Sequence, residues 1–69
     1  MMADIIDARG LRCPWPVLRL AKALREGAGS VTIVADDPIA PAEIAAFAAE
    51  RGISAVAVKT SIGAGFLVG

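Results

Sequence analysis

The chain is 69 residues long, with seven basic side chains against seven acidic ones, one cysteine and no histidine. A chain this short buries only about 60 % of the surface its unfolded form exposes, which excludes a deep, enclosed substrate cavity and predicts a single domain over residues 1–69 with any chemistry at its surface. A composition 57 % hydrophobic and 20 % charged excludes disorder, the lone cysteine without histidine excludes an internal disulfide or a zinc centre, and the neutral balance gives no field for nucleic acid.

In chain order, Asp4-Ile5-Ile6-Asp7 is an apolar pair between acids, long enough for an edge strand stopped by Gly10. Cys13-Pro14-Trp15-Pro16 then reads as a helix opening, because proline is tolerated in the first turn, where an N–H has no intrahelical acceptor. From there Val17, Leu20, Ala21 and Leu24 follow the i, i+3, i+4, i+7 spacing of a buried stripe, with Arg19, Lys22 and Glu26 opposite and Gly27 and Gly29 ending the helix. Val31 to Ala35 is rich in β-branched residues and predicts a mostly buried strand, broken by Asp36-Asp37-Pro38. Pro41 opens a second helix, with Glu43 near its positive end and Ile44, Phe47 and Ala48 as its core stripe until Gly52. Ile53 to Lys59 returns to a strand, Thr60 to Gly65 reads as a loop, and Phe66-Leu67-Val68 forms a last strand.

The order is βαβαββ. Strands alternating with helices predict parallel pairs joined by crossovers, and the short glycine-containing link between the final strands predicts a hairpin. If both crossovers step the same way, both helices cover one face of the sheet. The other face is then open, leaving Val56 and Val58, or their neighbours Ala55 and Ala57, solvated or docked. A small domain without disulfide or metal is commonly supported by burial against a partner, so weak self-association is expected too.

Most lone cysteines of intracellular domains are inert small hydrophobes. Cys13, however, falls at the predicted N-cap, where unpaired amides and the helix dipole favour an anion. Pro14 and Pro16 have no amide hydrogen, so only Trp15 and Val17 can donate in that first turn. Arg9, Arg12, Arg19, Lys22 and Arg25 follow one another without an intervening acid. Both features predict a thiolate with a pKa below the free value of about 8.5. With no histidine, no Cys–His pair exists for acyl transfer, and with no second cysteine there is no redox dithiol. What remains for a solitary exposed thiolate is to accept a group, most naturally sulfur, and pass it on.

The run Asp7-Ala8-Arg9-Gly10-Leu11-Arg12-Cys13-Pro14-Trp15-Pro16, followed by a basic helix, a buried strand and Asp36-Asp37-Pro38, resembles the TusA (SirA-like) family of sulfur-carrier proteins across essentially the whole chain. The resemblance implies an α+β two-layer sandwich, a four-stranded mixed sheet with two helices on one face. It also implies a persulfide carried on Cys13, and it places the acid of the Asp-Pro turn, Asp37, near the cysteine in contact with partners. Read alone, Asp37 is a turn or cap residue. Trp15 stands at the variable position of the motif. Phe66-Leu67-Val68-Gly69 lacks the basic residues that family members often carry there.

The expected activity is therefore a sulfurtransferase-type carrier without cofactor or metal. Cys13 is the reacting group, and Arg9, Arg12, Pro14, Trp15, Pro16, Val17 and Asp37 hold the anion or meet partners. The partners expected are a sulfur donor, such as a cysteine desulfurase or another sulfurtransferase, and a downstream acceptor protein, in a relay such as tRNA 2-thiouridine synthesis. Neither a membrane nor direct nucleic-acid contact is expected. An opening of Met1-Met2-Ala3-Asp4 without a basic, then apolar leader, together with a thiol suited to a reducing compartment, predicts a cytoplasmic location. Two other readings are an interaction or regulatory module using the open sheet face, and, more weakly, RNA binding through Arg19, Lys22 and Arg25.

Overall fold

A computed structural model describes residues 5–27 and 29–69; Asp4, at the start of the expected first strand, and the leader reading of Met1-Met2-Ala3 lie outside them. The elements run β1 (Ile5–Asp7), α1 (Trp15–Arg25), β2 (Val31–Val34), α2 (Ala40–Arg51), β3 (Ala55–Thr60) and β4 (Gly63–Val68), the βαβαββ order that the periodicities predict.

α1 has no acid in its first turn, but Lys22 and Arg25 lie in its last turn, where cations meet the negative end of the dipole. α2 has the complementary arrangement at both ends, Glu43 in the first turn and Arg51 in the last. It stops at Gly52, whose φ of 68° is the left-handed conformation that glycine adopts without a Cβ penalty. Arg51 folds its guanidinium over the Phe47 ring, 4.6 Å from the centroid.

The sheet order is β1-β2-β4-β3. β1 is parallel to β2, and β4 is antiparallel to both β2 and β3. β3 therefore runs in the same direction as β2, yet the two do not touch. The hairpin folds back so that β4 fills the place between them, a strand order that sequence periodicity leaves open. The six-residue loop expected from Thr60 to Gly65 is instead a tight turn at Ser61-Ile62. There Thr60 Oγ1 donates to the Gly63 carbonyl at 2.7 Å and accepts the Ile62 amide at 3.2 Å. Gly63, Ala64 and Gly65 belong to the strand, because backbone pairing with Thr60, Lys59 and Val58 needs no side chain.

Register separates the two faces. Val31 pairs with Val68 and Ile33 with Phe66. These rows meet Leu20 of α1 and Ile44 and Ala48 of α2 in one buried cluster, so both helices lie on the same side. The alternate row, Ile5, Thr32, Leu67 and Val56, crosses the opposite face, where Val56 is 54 % exposed. Of the two alternatives for the open face of β3, the structure selects Val56 and Val58, the first exposed and the second half-buried, and Ala55 and Ala57 lie on the helix side. On the open face Val34 is nonetheless buried, with Gly65 packed tightly against it and against the Ile33 carbonyl oxygen.

Candidate functional site

The connection from β1 to α1 carries the cysteine, and the connection from β2 to α2 carries the two aspartates. β1 and β2 are parallel neighbours, so both connections leave the same end of the sheet and lie side by side. Together Gly10, Leu11, Arg12, Cys13, Asp36, Asp37, Pro38 and Ile39 line an open depression of about 610 Å³. Cys13 is a free thiol, half-buried in its wall.

The two connections are joined by charge-assisted hydrogen bonds from backbone to carboxylate. Gly10 N–H donates to Asp36 Oδ1 at 2.9 Å, and Cys13 N–H donates to Asp37 Oδ2 at 2.6 Å. The second Asp37 oxygen accepts the Ile39 amide at 3.1 Å, and the Asp37 carbonyl accepts the Ala40 amide at 2.9 Å. Asp37 thus starts α2 as an Asx turn while reaching across to the cysteine. Those two amides, with the Arg12 guanidinium nearby, hold its carboxyl below the usual range.

The start of α1 differs from the expectation. The N-cap is Pro14 rather than Cys13, and the Cys13–Pro14 peptide bond is cis. Trp15 N–H donates to the Arg12 carbonyl at 2.8 Å, so it is committed to backbone and does not serve the sulfur. Val17 is half-buried and packs on the core, and Pro16 is buried. Pro14 and Trp15 face solvent, Trp15 with 59 % of its surface exposed. Leu18 and Ile39 are exposed as well, and Ile39 lines the depression.

The expected lowering of the thiol pKa is overturned. Partial burial pushes the Cys13 thiol up, the Glu43 carboxylate beside it adds to this by charge and by hydrogen bonding, and Asp37 adds further. The positive helix end does not prevail, because the sulfur stands one residue ahead of the cap and acids are nearer. Glu43 was read from the sequence only as a helix-dipole partner. Its nearness to Cys13 arises from the crossing of two connections and has no local signal, although its place in the turn after Asp37 was a clue.

Arg9 likewise lies apart from the sulfur. Its guanidinium grips Asp7 through Nε and Nη2, both at 2.8 Å, and Nη1 reaches the Ile62 carbonyl at 3.4 Å. The structure therefore brings Arg12, Cys13 and Asp37 together, leaves Trp15 exposed at the start of α1, and sends Arg9 to the β3–β4 turn. Among the described residues no group of three or more metal-ligating side chains is assembled, and no helix is long and apolar enough to cross a membrane.

A family model described as sulfurtransferase TusA matches residues 4–67. A protein of Neisseria meningitidis named as a candidate sulfur carrier is 41 % identical over 54 residues, covering 75 % of this chain and 73 % of its own length. The crystal structure of a SirA-like protein from Desulfitobacterium hafniense superposes with a TM-score of 0.77 at 31 % identity, over 93 % of this chain and 90 % of the other. The family match spans both connections and every strand and helix that positions them, and the solved relative repeats the architecture: the chain belongs to the TusA family, the SirA-like sulfur carriers.

Proposed function

We propose that this protein carries sulfane sulfur as a persulfide on Cys13 and hands it from a donor protein to an acceptor protein. The observation that carries the reading is the placement of the sole cysteine, half-buried in the wall of an open depression that Pro38 and the exposed Ile39 also line. A group held there is within reach of a second protein's thiol, and no enclosed cavity is needed for a cargo of one atom.

In the transfer, Cys13 first loses its thiol proton. The thiolate attacks the terminal sulfur of a donor persulfide, a new S–S bond forms, and the donor's S–S bond breaks with its electron pair leaving on the donor sulfur, which takes up a proton. Delivery repeats the step with Cys13 as the leaving thiolate. No net oxidant is required, since sulfane sulfur moves between equivalent positions. Partial burial, and next the Glu43 and Asp37 carboxylates, disfavour the resting thiolate. Arg12 faces the same depression, and Pro14, Trp15 and Ile39 supply the surface a partner meets. A cysteine desulfurase as donor, an acceptor in a pathway such as tRNA 2-thiouridine synthesis, and a cytoplasmic location belong to this reading.

The test is incubation with a cysteine desulfurase and cysteine, followed by intact-mass spectrometry. One added sulfur atom is expected, lost on reduction and absent in Cys13→Ser. No addition, or addition that persists in Cys13→Ser, overturns the proposal.

The exposed row of Ile5, Leu67 and Val56 favours a second reading, an interaction module in which the sheet face binds and Cys13 is incidental. In that case Cys13→Ser leaves the cellular phenotype intact and Val56→Lys removes it.

A further inference from the structure

Asp36 and Asp37 are consecutive in sequence but diverge in the fold, each reaching a different amide of the neighbouring connection: Gly10 N–H for Asp36, Cys13 N–H for Asp37. These two bonds bracket the segment that holds the reacting sulfur. Between them Leu11 packs against the core. Leu11 N–H bonds to the Ala8 carbonyl at 3.2 Å and Trp15 N–H to the Arg12 carbonyl, and both are local to the segment. Among the described residues, the two aspartates make the hydrogen bonds that tie Gly10–Cys13 to the β2–α2 connection.

We propose that Asp36 and Asp37 are positioning residues, a two-pronged clamp that fixes the Cys13 backbone against the start of α2 and thereby sets where the sulfur stands when a partner docks. This deepens the carrier reading and rests on it for the chemistry of Cys13. The prongs differ in their demands. Asp36 uses one oxygen for one amide, so an asparagine, whose side-chain carbonyl accepts equally, can replace it. Asp37 uses both oxygens, for Cys13 and for Ile39, and an asparagine would turn its NH₂ toward one of two N–H groups. The charged neighbours are Arg9, whose charge acts on Asp36, Arg12, which faces Asp37, and Glu43, which with Asp37 faces the thiol. Neither carboxylate is asked to touch cargo.

Amide hydrogen exchange and amide chemical shifts by NMR test the clamp directly, in folded full-length Asp36→Asn, Asp36→Ala, Asp37→Asn and Asp37→Ala. Protection of the Gly10 amide should survive Asp36→Asn and fall roughly ten-fold in Asp36→Ala; protection of the Cys13 amide should fall by a similar factor in Asp37→Ala. In Asp37→Asn either the Cys13 or the Ile39 amide should lose protection. Loading of Cys13 by a cysteine desulfurase and cysteine, which requires docking, should slow about ten-fold in Asp37→Ala, as for a displaced reacting group, and be nearly unchanged in Asp36→Asn, while alkylation by iodoacetamide should not slow in Asp37→Ala, because loss of that charge favours the thiolate. Equal behaviour of Asp36→Asn and Asp36→Ala, or unchanged amides and loading in Asp37→Ala, overturns the proposal. Should the Asp37 variants not fold, the wild-type protein decides. Its Cys13 amide resonance must follow the Asp37 carboxyl in an acid titration, and a resonance that stays still sinks the clamp. If the wild-type protein takes up no sulfur while the amide pattern holds, the carrier reading fails and the clamp stands.

Discussion

Glu43, from the first turn of α2, stands against the thiol of Cys13, so that the charges acting on the reacting sulfur, those of Glu43 and Asp37, are negative. The effect on reactivity follows from which form reacts. The thiolate is the nucleophile, and a group whose pKa is pushed up has less of it at neutral pH.

Cys13 should therefore alkylate more slowly with iodoacetamide at pH 7 than an unhindered cysteine, with a rate that keeps rising above the pH where an ordinary thiol levels off. Glu43→Gln removes the charge and should move the profile to lower pH. Each unit of movement raises the neutral rate by about three-fold, the ten-fold gain in thiolate being partly offset by lower nucleophilicity. A profile unmoved by Glu43→Gln would show that the carboxylate does not act on the sulfur.

The Asp7–Arg9 pair gives a second titration. The Arg9 side chain, and next its backbone amide, lower the Asp7 carboxyl to about 2. Carbon-detected NMR should find Asp7 ionised well below the ordinary range, and Arg9→Ala should raise it toward the ordinary carboxyl value, the retained backbone amide of residue 9 keeping it somewhat lower. The sign for stability is that of a depressed acid: the contribution is present above the ordinary carboxyl pKa and is lost as pH falls toward 2. Both side chains are about half exposed, so water and salt keep the pair weak and Asp7→Asn should barely change the thermal midpoint.

Gly65 should tolerate no side chain. A Cβ there would run into the Ile33 carbonyl oxygen and crowd Val34. Both are fixed in β2, and neither is the free end of a flexible side chain. Gly65→Ala is expected to destabilise by roughly 1–3 kcal/mol, measured by urea denaturation. Retention of wild-type stability would mean that β4 can shift away from β2.

Leu20 and Val56 make a matched pair for the two faces. Leu20 is fully buried between helix and sheet, and Leu20→Ala should cost about 2–5 kcal/mol through lost burial and the remaining cavity. Val56 lies on the open face, and Val56→Thr should stay within about 0.5 kcal/mol. Urea denaturation measures both.

The sequence made the elements legible wherever one periodicity ruled. Leu20, Ile44 and Ala48 were readable as core from helical spacing alone, and Gly52 as a helix stop. The strand order was not, because β2 and β3 share a direction either as neighbours or with β4 between them, and periodicity is the same in both cases. Glycines hid the start of β4, since Gly63, Ala64 and Gly65 pair through backbone and show no apolar alternation. At the site, the position of Cys13 ahead of a helix was readable, but the sign of its surroundings was not. The row of cations from Arg9 to Arg25 is adjacent in sequence, whereas Asp37 and Glu43 arrive through the fold. A count of local charges favours the cations, and proximity in space reverses it.

The interior position of β4 also sets an order of assembly. Only with β4 do the parallel pair at one edge and β3 at the other gain a common neighbour, so the sheet cannot close until the latest-made of its strands has emerged from the ribosome. Until then Ile33 and Ala57 have no strand between them. A nascent chain stalled before Phe66 would leave unpaired the edges of β2 and β3 that β4 joins in the finished sheet.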